Sequence, residues 1–251
     1  MQEPFFFGSE GREIFGVYHP ALGAGSGTLT VICPPLYSEF SRAYSALRNV
    51  ALALVRRGQH VLRMEYSGTG ESYGDLDDAT LSGWIKDISL AVDEGRDLSG
   101  CRRVQLLGVR GSALLACSAA IERLDIDRVV LWDPAIDGAE YKDSLLREQE
   151  DALREHLYLN GAERREFRKG YDLYRMPASM WDEWSTLEAS TYLNMQPEKL
   201  RVVCTPKANE FEVDSVQKTY VDFRVDWETK NGEVFMCQPV LEALLHDLTA
   251  P

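Results

Sequence analysis

The sequence lacks several features that would fix its class at once. No stretch approaches the roughly 18 apolar residues that a membrane-crossing helix needs. The opening MQEPFFFGSEGRE has no basic start and only a very short apolar run, so neither a secretory signal nor an anchor is expected there. Cysteine is sparse: Cys33, Cys101, Cys117, Cys204 and Cys237 are odd in number and widely spaced, with no C-x-x-C pair and no Cys/His ligand cluster. That pattern argues against a disulfide scaffold and a metal site, and suits buried thiols in a reducing cytoplasm. Basic charge is short as well. With 27 Lys and Arg against 40 Asp and Glu the net charge is −13, and such a field repels nucleic acid and anionic lipid surfaces. Histidine is rare, and only His19, His60, His156 and His246 are available for any proton-transfer chemistry.

What is present is enough apolar material for one full core: 251 residues, 45% of them hydrophobic. Pro4–Phe7 and Glu13–Tyr18 flank the turn residues Gly8, Ser9 and Gly11 and read as an antiparallel hairpin. Leu29–Cys33 is a continuous β-prone run stopped by Pro34-Pro35, as in a strand buried on both faces. Helix and strand patterns then alternate: helix 42–57, strand 60–64, helix 81–96, strand 103–107, helix 112–123 and strand 128–133. This alternation predicts parallel βαβ units with helices on both faces of a mostly parallel sheet of about eight strands. Residues 137–196 change to charged helical text ending in an aromatic-rich segment with Trp181 and Trp184, which predicts a helical cap inserted into the sheet domain. Strands 200–204 and 220–225 and helix 239–248 complete the core. The expected domains are therefore a core of residues 1–136 and 197–251 and a cap of residues 137–196.

Ligands bind open parallel sheets outside the carboxyl ends of the strands. The sharpest strand-to-helix turn there is Gly108-Val109-Arg110-Gly111-Ser112, between an apolar strand and an apolar helix. It has the context of a G-x-S-x-G nucleophile elbow, in which Arg110 takes the serine position and Ser112 the last glycine position. Together with VICPP (Val31–Pro35), VLRMEYSGTGESYGD (Val61–Asp75), GVRGSALLA (Gly108–Ala116) and VVLWDPAIDG (Val129–Gly138), this turn resembles the α/β-hydrolase superfamily. The resemblance is to the exosortase A system-associated hydrolases and, more loosely, to the serine aminopeptidase-like hydrolases. It covers about the first 140 residues and implies the α/β-hydrolase fold, an oxyanion loop at VICPP, and a bacterial setting tied to extracellular polysaccharide. One branch of that family also carries arginine at the elbow.

A serine hydrolase needs a nucleophile, a histidine to take its proton and an acid to orient that histidine. Here the serine is replaced, and the loop Lys230–Phe235 before the last helix holds no histidine. Guanidinium stays protonated at any useful pH, so Arg110 is no nucleophile. It can make an anion site with Val109, Gly111 and the loop residues Pro34, Pro35 and Leu36, gripping a carboxylate or phosphate in a bidentate manner. Alternatively Arg110 pairs internally, with Asp133 or Glu65, and the two can coexist. The favoured expectation is a degenerate hydrolase-like protein that binds a small anionic or acyl ligand beneath its cap, or acts with a protein partner, without a cofactor or a metal. The runner-up is an active hydrolase of esters, thioesters or amides using Ser112 or a cysteine such as Cys33 or Cys204. A third reading is non-hydrolytic chemistry at the Arg110 site, with Asp133 or Glu233 moving protons.

Overall fold

The computed structural model describes residues 2–155, 160–163, 178–205, 216–223, 225, 227, 234 and 236–250. A hairpin opens the chain: β1 (Glu3–Ser9) turns through Gly8 and Gly11, both at positive φ, into the antiparallel β2 (Arg12–His19). The buried β3 (Thr28–Cys33) follows and ends at the two prolines. Then come α1 (Tyr37–Arg56), β4 (His60–Met64), α2 (Leu81–Ser99), β5 (Arg103–Val109), α3 (Ser112–Glu122) and β6 (Arg128–Trp132). Among the described residues after β6 come only helices until β7: α4 (Gly138–Glu155), α5 (Ala178–Trp184), α6 (Ser190–Leu193) and a 3₁₀ turn at Pro197–Lys199. The chain then returns to the sheet as β7 (Leu200–Cys204) and β8 (Gln217–Tyr220) and closes with α7 (Gln238–Thr249).

The eight strands lie in the order β1-β2-β4-β3-β5-β6-β7-β8. Only β2 against β1 and β4 is antiparallel; the other ladders are parallel. Strand residues alternate between two apolar layers, as the period of two requires. Leu29, Val31, Val104, Leu106, Val129 and Leu131 join Trp84, Ile88 and Leu115 beneath α2 and α3. On the other face Ile32, Leu107, Val109, Val130 and Trp132 meet Val50, Leu54, Val240 and Leu244 from α1 and α7. Burying both faces explains why these strands read as unbroken apolar runs. Helix α2 shows how its ends are set: the Thr80 hydroxyl accepts from the Gly83 amide at 3.0 Å, and Gly100 closes it at φ 66°. Among the described residues no helix is long and apolar enough to cross a membrane.

Two differences from the sequence expectation bear on the site and its sheet edge. Helix α1 begins at Tyr37, not 42, because the chain turns immediately after Leu36 through a positive φ of 54° at Tyr37. This places Glu39 in its first turn. The last strand is Gln217–Tyr220 rather than 220–225. The apolar Val221 and Val225 are buried against the α1 and α7 layer without joining a ladder, so their pattern marked burial rather than strand.

Candidate functional site: a closed elbow

Strand β5 delivers Arg110 to the carboxyl edge of the sheet at φ 55°, with its carbonyl accepting from the Ala113 and Ala135 amides at 3.1 and 3.2 Å. Non-glycine residues rarely hold such a φ, at a cost on the order of 1 kcal/mol or more. Among the described residues three do so, Tyr37, Arg110 and Asp133: the last two follow the ends of β5 and β6 directly, and Tyr37 opens α1 after the loop that follows β3. The tight turn depends on Gly108, where a Cβ would come within 2.9 Å of the Ala113 Cα. It depends equally on Gly111, where a Cβ would sit 2.2 Å from the Tyr141 ring.

The Arg110 side chain is already engaged. Its Nε donates to Glu39 Oε1 at 2.9 Å, its Nη1 donates to the Asp133 carbonyl at 3.0 Å, and its guanidinium lies 5.4 Å from the Trp227 ring centroid. The other Glu39 oxygen accepts from the Tyr141 hydroxyl at 2.7 Å. Burial works against the Arg110 charge, but the Glu39 carboxylate more than offsets it and the pKa is raised. The Tyr141 hydroxyl is pushed well above its usual range by burial and then by Glu39, so it remains a donor. A second clamp lies one turn along α1, where Arg42 Nη1 donates to Glu148 Oε1 at 2.7 Å and Nη2 to the Trp227 carbonyl at 2.5 Å. Helix α1 is thus tied twice to α4 and to Trp227.

Asp133 is fully buried, and its carboxylate does not meet Arg110. It accepts from the Thr205 amide at 2.7 Å, the Thr205 hydroxyl at 2.8 Å and Trp227 Nε1 at 2.8 Å. Burial raises its pKa, opposed by these three bonds and by Arg110. The order Arg110, Trp227, Asp133 repeats the connectivity of a nucleophile, base and acid triad. The Trp227 indole lies between the other two: its N–H donates to the acid, and its ring faces the elbow side chain. Indole nitrogen only donates, so it cannot take a proton from anything at the elbow.

These contacts correct the expected pairing of Arg110. Its carboxylate partner is Glu39, not Asp133 or Glu65; the Glu65 carboxylate accepts from the Glu71 amide at 2.8 Å. Ser112 is wholly buried and donates its hydroxyl to the Pro34 carbonyl at 2.5 Å, which pins the loop after β3 to the start of α3. No histidine among the described residues is near it. His19 meets Arg63, His60 meets Tyr18, and His246 lies exposed on α7 beside Asp247. His156 and Glu233 lie outside the described residues. All five cysteines are free and buried, and burial raises the pKa of Cys33, and of Cys204 to about 12, which keeps both as thiols. Among the described residues no group of three or more His, Cys, Asp and Glu side chains is placed to hold a metal.

The expected ligand-binding set divides. Val109 belongs to the core, Gly111 lies under the Tyr141 ring, and Arg110 faces Glu39 rather than an open floor. Pro34, Pro35 and Leu36 instead border a neighbouring cavity of about 410 Å³ at the ends of β3 and β4, with Tyr66, Trp84 and Glu65 across it. Burial raises the pKa of Glu65 there. Sequence inspection missed Glu39, Tyr141, Thr205 and Trp227. Only Glu39 carried a signal, an acid four residues after the double proline at a helix start.

No family model and no curated protein matches the sequence. Solved structures do match. Est1E from Butyrivibrio proteoclasticus, in a structure with ferulic acid bound, is 15% identical with a TM-score of 0.63, covering 97% of this chain and 99% of its own. The α/β hydrolase GrgF from a Penicillium species is 13% identical with a TM-score of 0.64, over 88% and 89% of the two chains. An esterase from Pyrococcus furiosus is 16% identical with a TM-score of 0.61, over 89% and 82%. The strand order, the elbow between β5 and α3 and these likenesses agree: the chain has the α/β-hydrolase fold.

Proposed function

We propose that this protein is a non-hydrolysing α/β-hydrolase-like binder that takes the acyl or aromatic part of a small ligand into the cavity beside the elbow. The helices between β6 and β7 serve as its cap. One observation carries the reading: the serine position is filled by Arg110 ion-paired to buried Glu39, and the imidazole position by Trp227 donating to Asp133. A general base at that point must accept a proton, and neither guanidinium nor indole has a free lone pair to do so.

Ligand binding moves from the elbow to the cavity because Arg110 already has its anion. The walls at Leu36, Tyr66 and Trp84 favour an apolar or flat ring system, and Glu65, with its pKa raised by burial, suits a hydroxyl or carbonyl head group better than a carboxylate. Ferulic acid, held by the Butyrivibrio neighbour, carries such a ring with a phenolic hydroxyl, and its neutral esters are the first probe. The resemblance of the motifs to exosortase A system-associated hydrolases supports a setting in bacterial polysaccharide export.

The purified protein is expected to show no labelling by a fluorophosphonate probe and no turnover of short-chain esters above background. Ferulate esters should raise its melting temperature, and Leu76→Trp, which fills the cavity from its 3₁₀ turn, should remove that rise. Stoichiometric labelling of Ser112 would overturn the non-hydrolysing reading, and an unchanged rise in Leu76→Trp would remove the cavity from it.

A further inference from the structure

A second cleft lies at the opposite edge of the sheet. It has a volume of about 380 Å³, within the roughly 300–1,000 Å³ usual for small-ligand clefts. The amino ends of β3, β5 and β6 and the last turn of α7 form its walls, and three arginines, Arg57, Arg103 and Arg128, line it. Its base is rigid and polar. Buried Gln59 and Gln105 both donate to the Leu248 carbonyl, at 2.7 and 2.8 Å, and Gln105 donates to Gln59 Oε1 at 3.0 Å.

Among the described residues neither Arg57 nor Arg103 meets an acid. Arg103 donates to the Ser26 carbonyl at 3.0 Å, and Arg57 forms no side-chain hydrogen bond or ion pair among the described residues. Arg128 donates to the Asp247 and Ala250 carbonyls at 3.0 and 2.8 Å. The acid that lines the cleft, Asp127, has Oδ2 engaged by the Val104 amide at 2.8 Å. Burial lowers the Arg128 pKa, and Arg201 and Arg103 push it the same way against Asp247 and Asp127. A chain of net charge −13 that gathers guanidinium groups around one concavity makes a local attractor for anions.

We propose that this cleft is an anion site for a small phosphate-bearing molecule, held by the forked donors of Arg57 and Arg103 with Arg128 at its back. Guanidinium forks match phosphate oxygens in geometry and charge, and two such groups lining one cleft suit a phosphate ester or diphosphate better than a lone carboxylate. The site is independent of the cavity beside the elbow and needs no chemistry there.

The probe is inorganic pyrophosphate, titrated calorimetrically into the intact chain at ionic strength held constant with sodium chloride. Saturable binding of one equivalent is expected, weakened at least about tenfold in Arg57→Ala/Arg103→Ala, the loss expected for removing charge-assisted hydrogen bonds. No saturable binding in the parent chain, or equal affinity in the double variant, overturns the site. If circular dichroism shows the double variant misfolded, Arg57→Ala alone decides: weaker binding supports the site and unchanged binding overturns it.

Discussion

At the carboxyl edge of the sheet Arg110 is enclosed by Glu39, the Asp133 carbonyl and the Trp227 ring, whereas at the amino edge Arg57 and Arg103 line an open cleft with no carboxylate bonded to either among the described residues. The same side chain therefore plays opposite parts. A guanidinium taken out of water must bring its counter-charge with it, because an unpaired buried ion costs several kcal/mol. An exposed one incurs no such cost and stays available to a ligand. At the edge where this fold usually performs chemistry the arginine is paired inside the protein, and at the edge usually left to the scaffold Arg57 meets no side-chain partner among the described residues.

The largest expected effect tests the closed edge. Arg110→Ala leaves Glu39 buried with only the Tyr141 hydroxyl, and should cost roughly 3–5 kcal/mol in urea unfolding. Replacing Glu39 and Arg110 together by leucine should recover most of that loss, because no buried charge is then left alone. A loss below about 1 kcal/mol for Arg110→Ala would place the pair among weak surface bridges and erase the contrast between the edges.

A middle-sized effect comes from Trp227→Phe, which keeps a ring over Arg110 but removes the N–H donated to Asp133. Losing one donor to a buried carboxylate should cost roughly 1–3 kcal/mol. It also has a pH signature. The folded Asp133 carboxyl has a pKa above the ordinary 3.8, so the folded state holds its proton more tightly than the unfolded chain. The stability it contributes is complete below 3.8 and is lost as pH rises through the folded value. Trp227→Phe raises that value further, so its penalty should grow with pH above 3.8 in a series of urea melts. A pH-independent penalty would mean that Asp133 is satisfied without the indole.

The smallest effect tests the open edge. Arg57→Ala should change unfolding free energy by no more than about 0.5 kcal/mol, as for a surface residue that holds nothing. A loss above 1 kcal/mol would show Arg57 to be structural, like Arg110.

Much of the frame was legible without coordinates. Strands 60–64 and 200–204 and the start of α2 at Leu81 fall where the apolar pattern and turn residues put them, because these signals are local. The elbow was legible too, since Gly108 and Gly111 flank the two residues Val109 and Arg110 between an apolar strand and an apolar helix. The partner of Arg110 was not. Both acids expected for it end strands at the same edge, as the topology requires, yet Asp133 offers only its carbonyl and Glu65 turns to the Glu71 amide. The true partner stands in the first turn of α1, which begins at Tyr37 and not at the expected residue 42.

By itself the sequence determined the alternation of strands and helices, the strained turn at Arg110 and the absence of a serine from it, because each depends on residues within a few positions of one another. The tertiary structure alone decided what that arginine does. Glu39 lies 71 residues from Arg110, Tyr141 lies 102 from Glu39, and Trp227 lies 94 from Asp133. Only the crossing order of the sheet, with β3, β5 and β6 adjacent, brings these segments to one point. Burial there then forces every charge and donor to find its partner among whatever the fold has assembled.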